Sequence, residues 1–347
     1  MAHKRYTRYI HALCAALILA GCGGEDGEGG AGPQAPASSV QESADATILP
    51  RENCASAAAG IIEAHSEAMG GFSNIGSTCY ANSALKFLIH SADAKRLANH
   101  LHAFAAASND GHRHAAQQFV KLIESTYSQA GPMREDLSNF FASLQALPAF
   151  SQVNAAGEWR FQIVGRQQDA SEFLMKLSES FDLSALYGTA IALKDFNNQF
   201  STSHEYWTVL KISSPDDSLQ DIFDSTDAAG WRVSPGAQPR QLTVRIDSAR
   251  HDASGTHMLG TGNFDFNQAV ILHATDAADN SRLTITLEPR EVIEFRGADN
   301  AGHYRVYAKD GKWSRHDDDQ IHTLDQMPAI DNARLINFAI AKIETAS

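Results

Sequence analysis

The spacing of apolar residues changes once along this chain, near residue 204, and that change restricts its fold more than any other feature. Before it, apolar positions recur at helical period in Ala94–Ala107, in Ala115–Ser128 with Phe119, Leu122 and Ile123, and in Glu135–Leu147 with Phe140, Phe141 and Leu144. After it they alternate, in Tyr206–Ile212, Gln241–Ile246, Asn267–His273, Arg282–Leu287 and Glu291–Arg296. Pro, Gly, Asp and Ser clusters separate these runs. Helices first and a mostly antiparallel sheet afterwards predict an α+β domain.

Three stretches carry chemistry. In residues 71–88 a polar loop passes into an apolar helical run, with Ala81, Ala84, Leu85, Leu88 and Ile89 on one face. Ser77 or Thr78 is the expected N-cap, which sets Cys79 in the first turn. There the free N–H groups and the helix dipole favour a thiolate, the form that acts as a nucleophile. Asn74, on the loop, is placed to turn its amide toward an oxyanion forming beside that sulfur. In residues 165–182, Asp169 and Glu172 have capping-box spacing ahead of an apolar face of Ala170, Phe173, Leu174, Leu177 and Phe181. Residues 302–321 alternate, turn at Asp310-Gly311 and return, the pattern of a β-hairpin.

These stretches resemble, in order, the three boxes of the ubiquitin-specific proteases, a papain-like cysteine deubiquitinase family. Asn-Ile-Gly-Ser-Thr-Cys-Tyr-Ala-Asn-Ser-Ala-Leu (74–85) resembles the cysteine box, and Gln-Gln-Asp-Ala-Ser-Glu-Phe-Leu (167–174) the second motif. Gly302-His303-Tyr304, with Trp313 and Asp317-Asp318 after it, resembles the histidine box, His316 standing where Phe or Tyr is usual. The resemblance implies a papain-like fold with a helical thumb and an antiparallel β-sheet palm. It implies Cys79, His303 and Asp317 as a catalytic triad, with Asn74 and Asp318 at the oxyanion site. Gln168, Asp169, Glu172, Gly302 and Tyr304 would line the channel for the C-terminal tail of ubiquitin or a ubiquitin-like protein, and no metal or other cofactor is implied. Residues 213–224 resemble the family's short helix-forming insertion. The family's zinc-bearing fingers, with two Cys-x-x-Cys pairs, have no counterpart in residues 225–240, so this region is read as absent or vestigial. Rival readings keep the thiol chemistry on another peptide or acyl substrate, or keep the scaffold as a silent ubiquitin-binding module.

The hairpin allows two registers. A two-residue turn at Asp310-Gly311 sets His303 opposite Asp318. A three-residue loop with Gly311 left-handed sets it opposite Asp317. Glycine at the last loop position suits the second, and the family spacing from Trp313 also selects Asp317.

Residues 1–21 read as a signal peptide, with Lys4, Arg5 and Arg8 ahead of an apolar core too short for a permanent span. Leu19-Ala20-Gly21-Cys22 resembles the lipobox of bacterial lipoproteins. Cys22 is then the lipidation site, residues 22–50 a flexible tether, and residues 51–347 the catalytic domain. The expected location is the bacterial envelope, lipid-anchored, with the outer membrane favoured. The domain would be monomeric. The chain's net charge of −13 argues against nucleic acid as partner. Only Cys54 and Cys79 remain in the body, which excludes a disulfide framework. His102, His112 and His114 lack metal-ligand spacing and read as surface residues.

Overall fold

A computed structural model describes residues 70–127, 134–157, 160–183, 186, 191–193, 207–227, 230–234, 239–252, 255–298 and 301–345. The signal peptide, Cys22, the tether and Cys54 lie outside the described residues. The first half is helical: α1 (Cys79–Ser91), α2 (Ala94–Ala107), α3 (Asp110–Tyr127), α4 (Arg134–Gln145) and α5 (Ala170–Phe181). The bounds of α2 are those its apolar period predicts. Helix α3 begins five residues earlier than expected, because the Asn109 side chain accepts from the His112 N–H at 3.1 Å and caps it there.

Helix α1 differs from the amphipathic helix expected. Every residue from Cys79 to Ile89 is buried, so helices and sheet surround it instead of covering one face. Thr78 holds the N-cap position but makes no side-chain cap bond. Its hydroxyl instead accepts from the Ile75 N–H at 3.1 Å, back in the loop. A cap contributes about 1 kcal/mol. Burying Leu85, Phe87, Leu88 and Ile89 contributes about 1.5–3 kcal/mol each. Packing therefore decides this helix, and the hydroxyl is free to order the loop.

The strands are β1 (Ile191–Leu193), β2 (Thr208–Lys211), β3 (Trp231–Val233), β4 (Gln241–Asp247), β5 (Ala249–Asp252), β6 (Gly255–Met258), β7 (Val270–Asp276), β8 (Arg282–Ala298), β9 (Ala301–Asp310), β10 (Lys312–Asp317), β11 (Gln320–Leu324) and β12 (Ala333–Thr345). Helix α6 (Leu219–Asp227) lies between β2 and β3, where the helix-forming insertion was expected. Among the described residues, strands β5 and β6 pair only with each other. The rest form one sheet in the order β1-β3-β7-β8-β12-β4-β2, with β9, β10 and β11 branching from β8. Pairing is antiparallel except for β2 with β4 and β3 with β7. The stretch where fingers would stand supplies β3 to this sheet.

The two strands expected at Arg282–Leu287 and Glu291–Arg296 are one, β8. Pro289 lies where β8 exchanges its neighbour β7 for β9, so no partner misses its N–H on that edge. On the other edge Asn337 faces Glu291 and Phe338 faces Pro289, which leaves Arg290 as an extra residue in a bulge.

Alternation along β8, β9 and β12 separates two cores. Ile293, Val306 and Leu335 pack with α1 and α5, while their neighbours Val292, Tyr307 and Ile336 pack on the opposite face with Ile222 and Phe223 of α6. The first face presents β9 to the start of α1, and the site forms there.

Candidate active site

The start of α1 delivers the sulfur. Ser77 has a left-handed backbone, φ 52°, and the turn it makes sets Cys79 at the first helical position, 4 % exposed. Asn74 shapes the turn, its Oδ1 accepting from the Gly76 and Thr78 N–H groups at 3.2 Å each. That use of the oxygen fixes which way the amide faces. Its Nδ2 donates to Asp318 Oδ2 at 3.0 Å and keeps a second N–H.

The β9–β10 hairpin delivers the base. Its register is neither of the two expected: Lys312 faces Asp310 and His316 faces Val306, around a left-handed Gly311 at φ 68°. The turn is tighter than either form, and β10 is displaced along β9. On this register Arg305 lies across from Asp317, and His303 reaches the same carboxylate along the diagonal of one sheet face. His303 Nε2 lies 2.5 Å from Asp317 Oδ1, and Arg305 Nε lies 2.7 Å from Oδ2. The Arg305 pair is an ion contact without aligned hydrogen-bond geometry. Asp317 is thus held between two cations, a partner for it that strand periodicity alone did not single out.

With Nε2 committed to Asp317, Nδ1 is the ring nitrogen left for the sulfur. The bond to Cys79 is the largest influence on His303, which is raised to about 9 against the opposing effect of burial. The bond and charge of Asp317 add to the rise. A histidine with a folded value above its unfolded one stabilises the fold fully below the unfolded value, and loses that contribution as pH rises through the folded value. The thermal midpoint is therefore expected to fall by on the order of 2–3 °C more in the wild type than in His303→Asn between about pH 6.5 and 9, allowing for solvent screening of this half-exposed ring. Equal slopes in a calorimetric pH series would remove the basis for the paired imidazolium.

Asp318 sits in the β10–β11 turn at φ 54° and bridges two amides: Asn74 on Oδ2 and Asn82 on Oδ1, the latter at 2.8 Å. Asn82 lies on α1 beside Cys79, and its role was not read from the sequence. His303, Asp317 and Asp318 present ligand atoms within 4.8 Å of one another.

The second motif meets β9 through Gln167, which accepts from the Gly302 N–H at 3.2 Å. Gln168 donates to the Gln162 carbonyl at 3.4 Å. Asp169 caps α5 through Oδ1 alone, taking the Ser171 and Glu172 N–H groups at 2.9 and 3.0 Å. Glu172 is half-exposed, 3.7 Å from Lys176. Tyr304 is buried with its ring 4.8 Å from that of Phe295, and burial raises its hydroxyl above the ordinary range. Gly302 has no room for a side chain: a Cβ there would lie 2.2 Å from the Phe295 ring. That ring is pinned by Tyr304 and by the Arg334 guanidinium 5.3 Å from its centroid. Gly302→Ala is accordingly expected to destabilise the domain by about 1–3 kcal/mol. A lowered urea midpoint at constant slope would register the loss, and an unchanged midpoint would show that Phe295 moves freely. His316 is buried and neutral, its Nε2 2.9 Å from Ser314 Oγ, where the family's aromatic ring would pack.

Cys79 at the start of α1, His303 and Asp317 on the β9–β10 hairpin and the fixed Asn74 amide make up the candidate site. Residues 70–224 match the family model of UCH, ubiquitin carboxyl-terminal hydrolase. The comparison with curated proteins gave no match. Among solved structures, the SAGA Ubp8/Sgf11/Sus1/Sgf73 DUB module bound to ubiquitin aldehyde is similar at a TM-score of 0.59 and 16% identity, covering 80% of this chain and 70% of that one. A Cys-to-Ala form of that module bound to monoubiquitin gives 0.56 and 14%, with the same coverage. A yeast SAGA module carrying a mutated Sgf73 gives 0.52 and 13%, covering 80% and 69%. The fold is the α+β papain-like fold of Ubp8.

Proposed function

We propose that this protein hydrolyses peptide or isopeptide bonds after the C-terminal glycine of ubiquitin or a ubiquitin-like protein, through Cys79, His303 and Asp317. The observation that carries the reading is Cys79 at the start of α1 and a His303 that Asp317 holds at 2.5 Å and that Cys79 raises, within a chain whose helical half matches the ubiquitin hydrolases. The Cys79 proton passes to His303, and the thiolate attacks the carbonyl carbon. The oxyanion takes the second N–H of Asn74, whose orientation Asp318 holds. His303 returns the proton to the departing amine, leaving a thioester on Cys79. Water then loses a proton to His303 and releases the carboxylate. Asp317 stabilises the imidazolium at each stage. Asp169 Oδ2, unused by the helix cap, and the half-exposed Glu172 are the acidic groups available to a basic substrate tail. The buried Phe295–Tyr304 pair closes over Gly302 beside it.

The test is incubation of the protein with ubiquitin carrying a C-terminal electrophile, followed by mass mapping. An adduct on the peptide containing Cys79 is expected. Alkylation of Cys79 by iodoacetamide without a ubiquitin adduct would point to a different acyl substrate. Ubiquitin binding without reaction would point to a silent module.

A further inference from the structure

Four polar residues run along one line of α1 at spacings of three, four and four: Cys79, Asn82, Lys86 and His90. The first two belong to the site already described. Lys86 is 2 % exposed, two turns beyond the sulfur, and among the described residues no carboxylate pairs with it. Its Nζ donates to the Gly70 carbonyl and lies 4.6 Å from the centre of the Phe72 ring. Burial pushes its ammonium well below the ordinary value, which favours the neutral amine. His90 and His316 are themselves held neutral chiefly by burial. A methionine of similar length would fill this space without desolvating an amine. What the amine adds is a donor.

The segment it binds leads to the catalytic loop. The Gly70 N–H donates to the Thr126 carbonyl at 2.8 Å, and the Phe72 N–H to the Asp318 carbonyl at 2.9 Å. Between them Gly71 runs so close to the β10–β11 turn that a Cβ there would lie 2.4 Å from the Asp319 carbonyl oxygen. Asn82 Nδ2 faces the Phe72 and Ser73 carbonyls at 3.4 and 3.3 Å as well as Asp318. Residues 70–73 are thus clamped between α1 and the turn that carries Asp318, immediately before Asn74 begins the cysteine loop.

We propose that Lys86 is a positioning residue for the reaction: its amine anchors the incoming chain at Gly70, and so sets the Asp318 bridge that aims the Asn74 amide. The inference rests on the deubiquitinase reading for its kinetic part only. Lys86→Met removes the donor and keeps the bulk, while Lys86→Gln keeps an N–H donor. On a ubiquitin C-terminal amide substrate, Lys86→Met is expected to lower kcat by about tenfold with KM within about twofold, as for an interaction made mainly in the transition state. Lys86→Gln is expected to restore kcat to within about threefold of wild type. Amide hydrogen exchange in residues 70–78 should quicken by about tenfold in Lys86→Met, with α2 unchanged, and stay near wild type in Lys86→Gln. A core lysine serving packing alone would lower stability without separating kcat from KM or Met from Gln. Wild-type exchange and kcat in Lys86→Met, or equal impairment in both variants, would overturn the proposal. If Lys86→Met does not fold, Lys86→Gln decides: loss of protection in residues 70–78 despite its donor overturns the anchor. Should wild type fail to cleave the ubiquitin substrate while exchange follows the expected pattern, the function reading falls and the anchor stands.

Discussion

Cys79→Ala is expected to lower turnover of a ubiquitin C-terminal amide by on the order of 10⁵-fold or more, since nucleophile loss removes the covalent route. The variant should fold. Cys79 is a small buried side chain, and alanine at a helix start loses about one atom of packing. A second signature separates this variant from a merely damaged one. The bond to Cys79 is the first cause of the raised His303 value of about 9, so its removal should bring His303 down and flatten the fall of thermal midpoint with rising pH. Residual kcat above about one per cent of wild type, with folding intact, would show that another group attacks the carbonyl.

The parts of this site that were legible in the sequence are those set by local spacing. The cysteine at a loop-to-helix junction, the Asp169 cap and the hairpin at Gly311 each follow from a few neighbouring residues, and each is present in the structure. The bounds of α2 were legible for the same reason. What the sequence left obscure depends on contacts between distant segments. Pro289 looked like a strand break because its missing N–H is a local fact, whereas the exchange of β7 for β9 that makes it harmless is not. Arg305 looked like an ordinary strand residue until the register set it across from Asp317. Asn82 and Lys86 stand where a helix wheel shows only positions in a helix. Their polar tips acquire a purpose from residues 70–74 and the β10–β11 turn. The full burial of α1 was hidden because alanines, a serine and a lysine sit on the faces opposite its large apolar residues.

The two adjacent acids should separate cleanly when each is removed. Asp317→Ala takes away the Nε2 partner of His303 and leaves the Arg305 guanidinium, 2.7 Å from the lost oxygen, without its counter-charge. The imidazolium is then less stable and less well oriented in every step that uses it. Turnover is expected to fall by on the order of 10²–10³-fold, less than for the nucleophile. Asp318→Ala leaves that line intact and acts through two amides, Asn74 and Asn82. The Asn74 turn is still fixed by the Gly76 and Thr78 N–H groups, and the Phe72 N–H still binds the Asp318 carbonyl. Its cost should therefore be about tenfold, below the 10²–10³ that follows outright loss of an oxyanion donor. The pH profiles should differ too. In Asp317→Ala the basic limb of kcat moves down from the neighbourhood of His303's value of about 9, because a bond and a charge that raise it are gone. In Asp318→Ala the limb stays where it is. Kinetics from pH 6 to 10 on both variants would settle the assignment: a larger loss at Asp318, or a shifted basic limb in that variant alone, would transfer the orienting role to it.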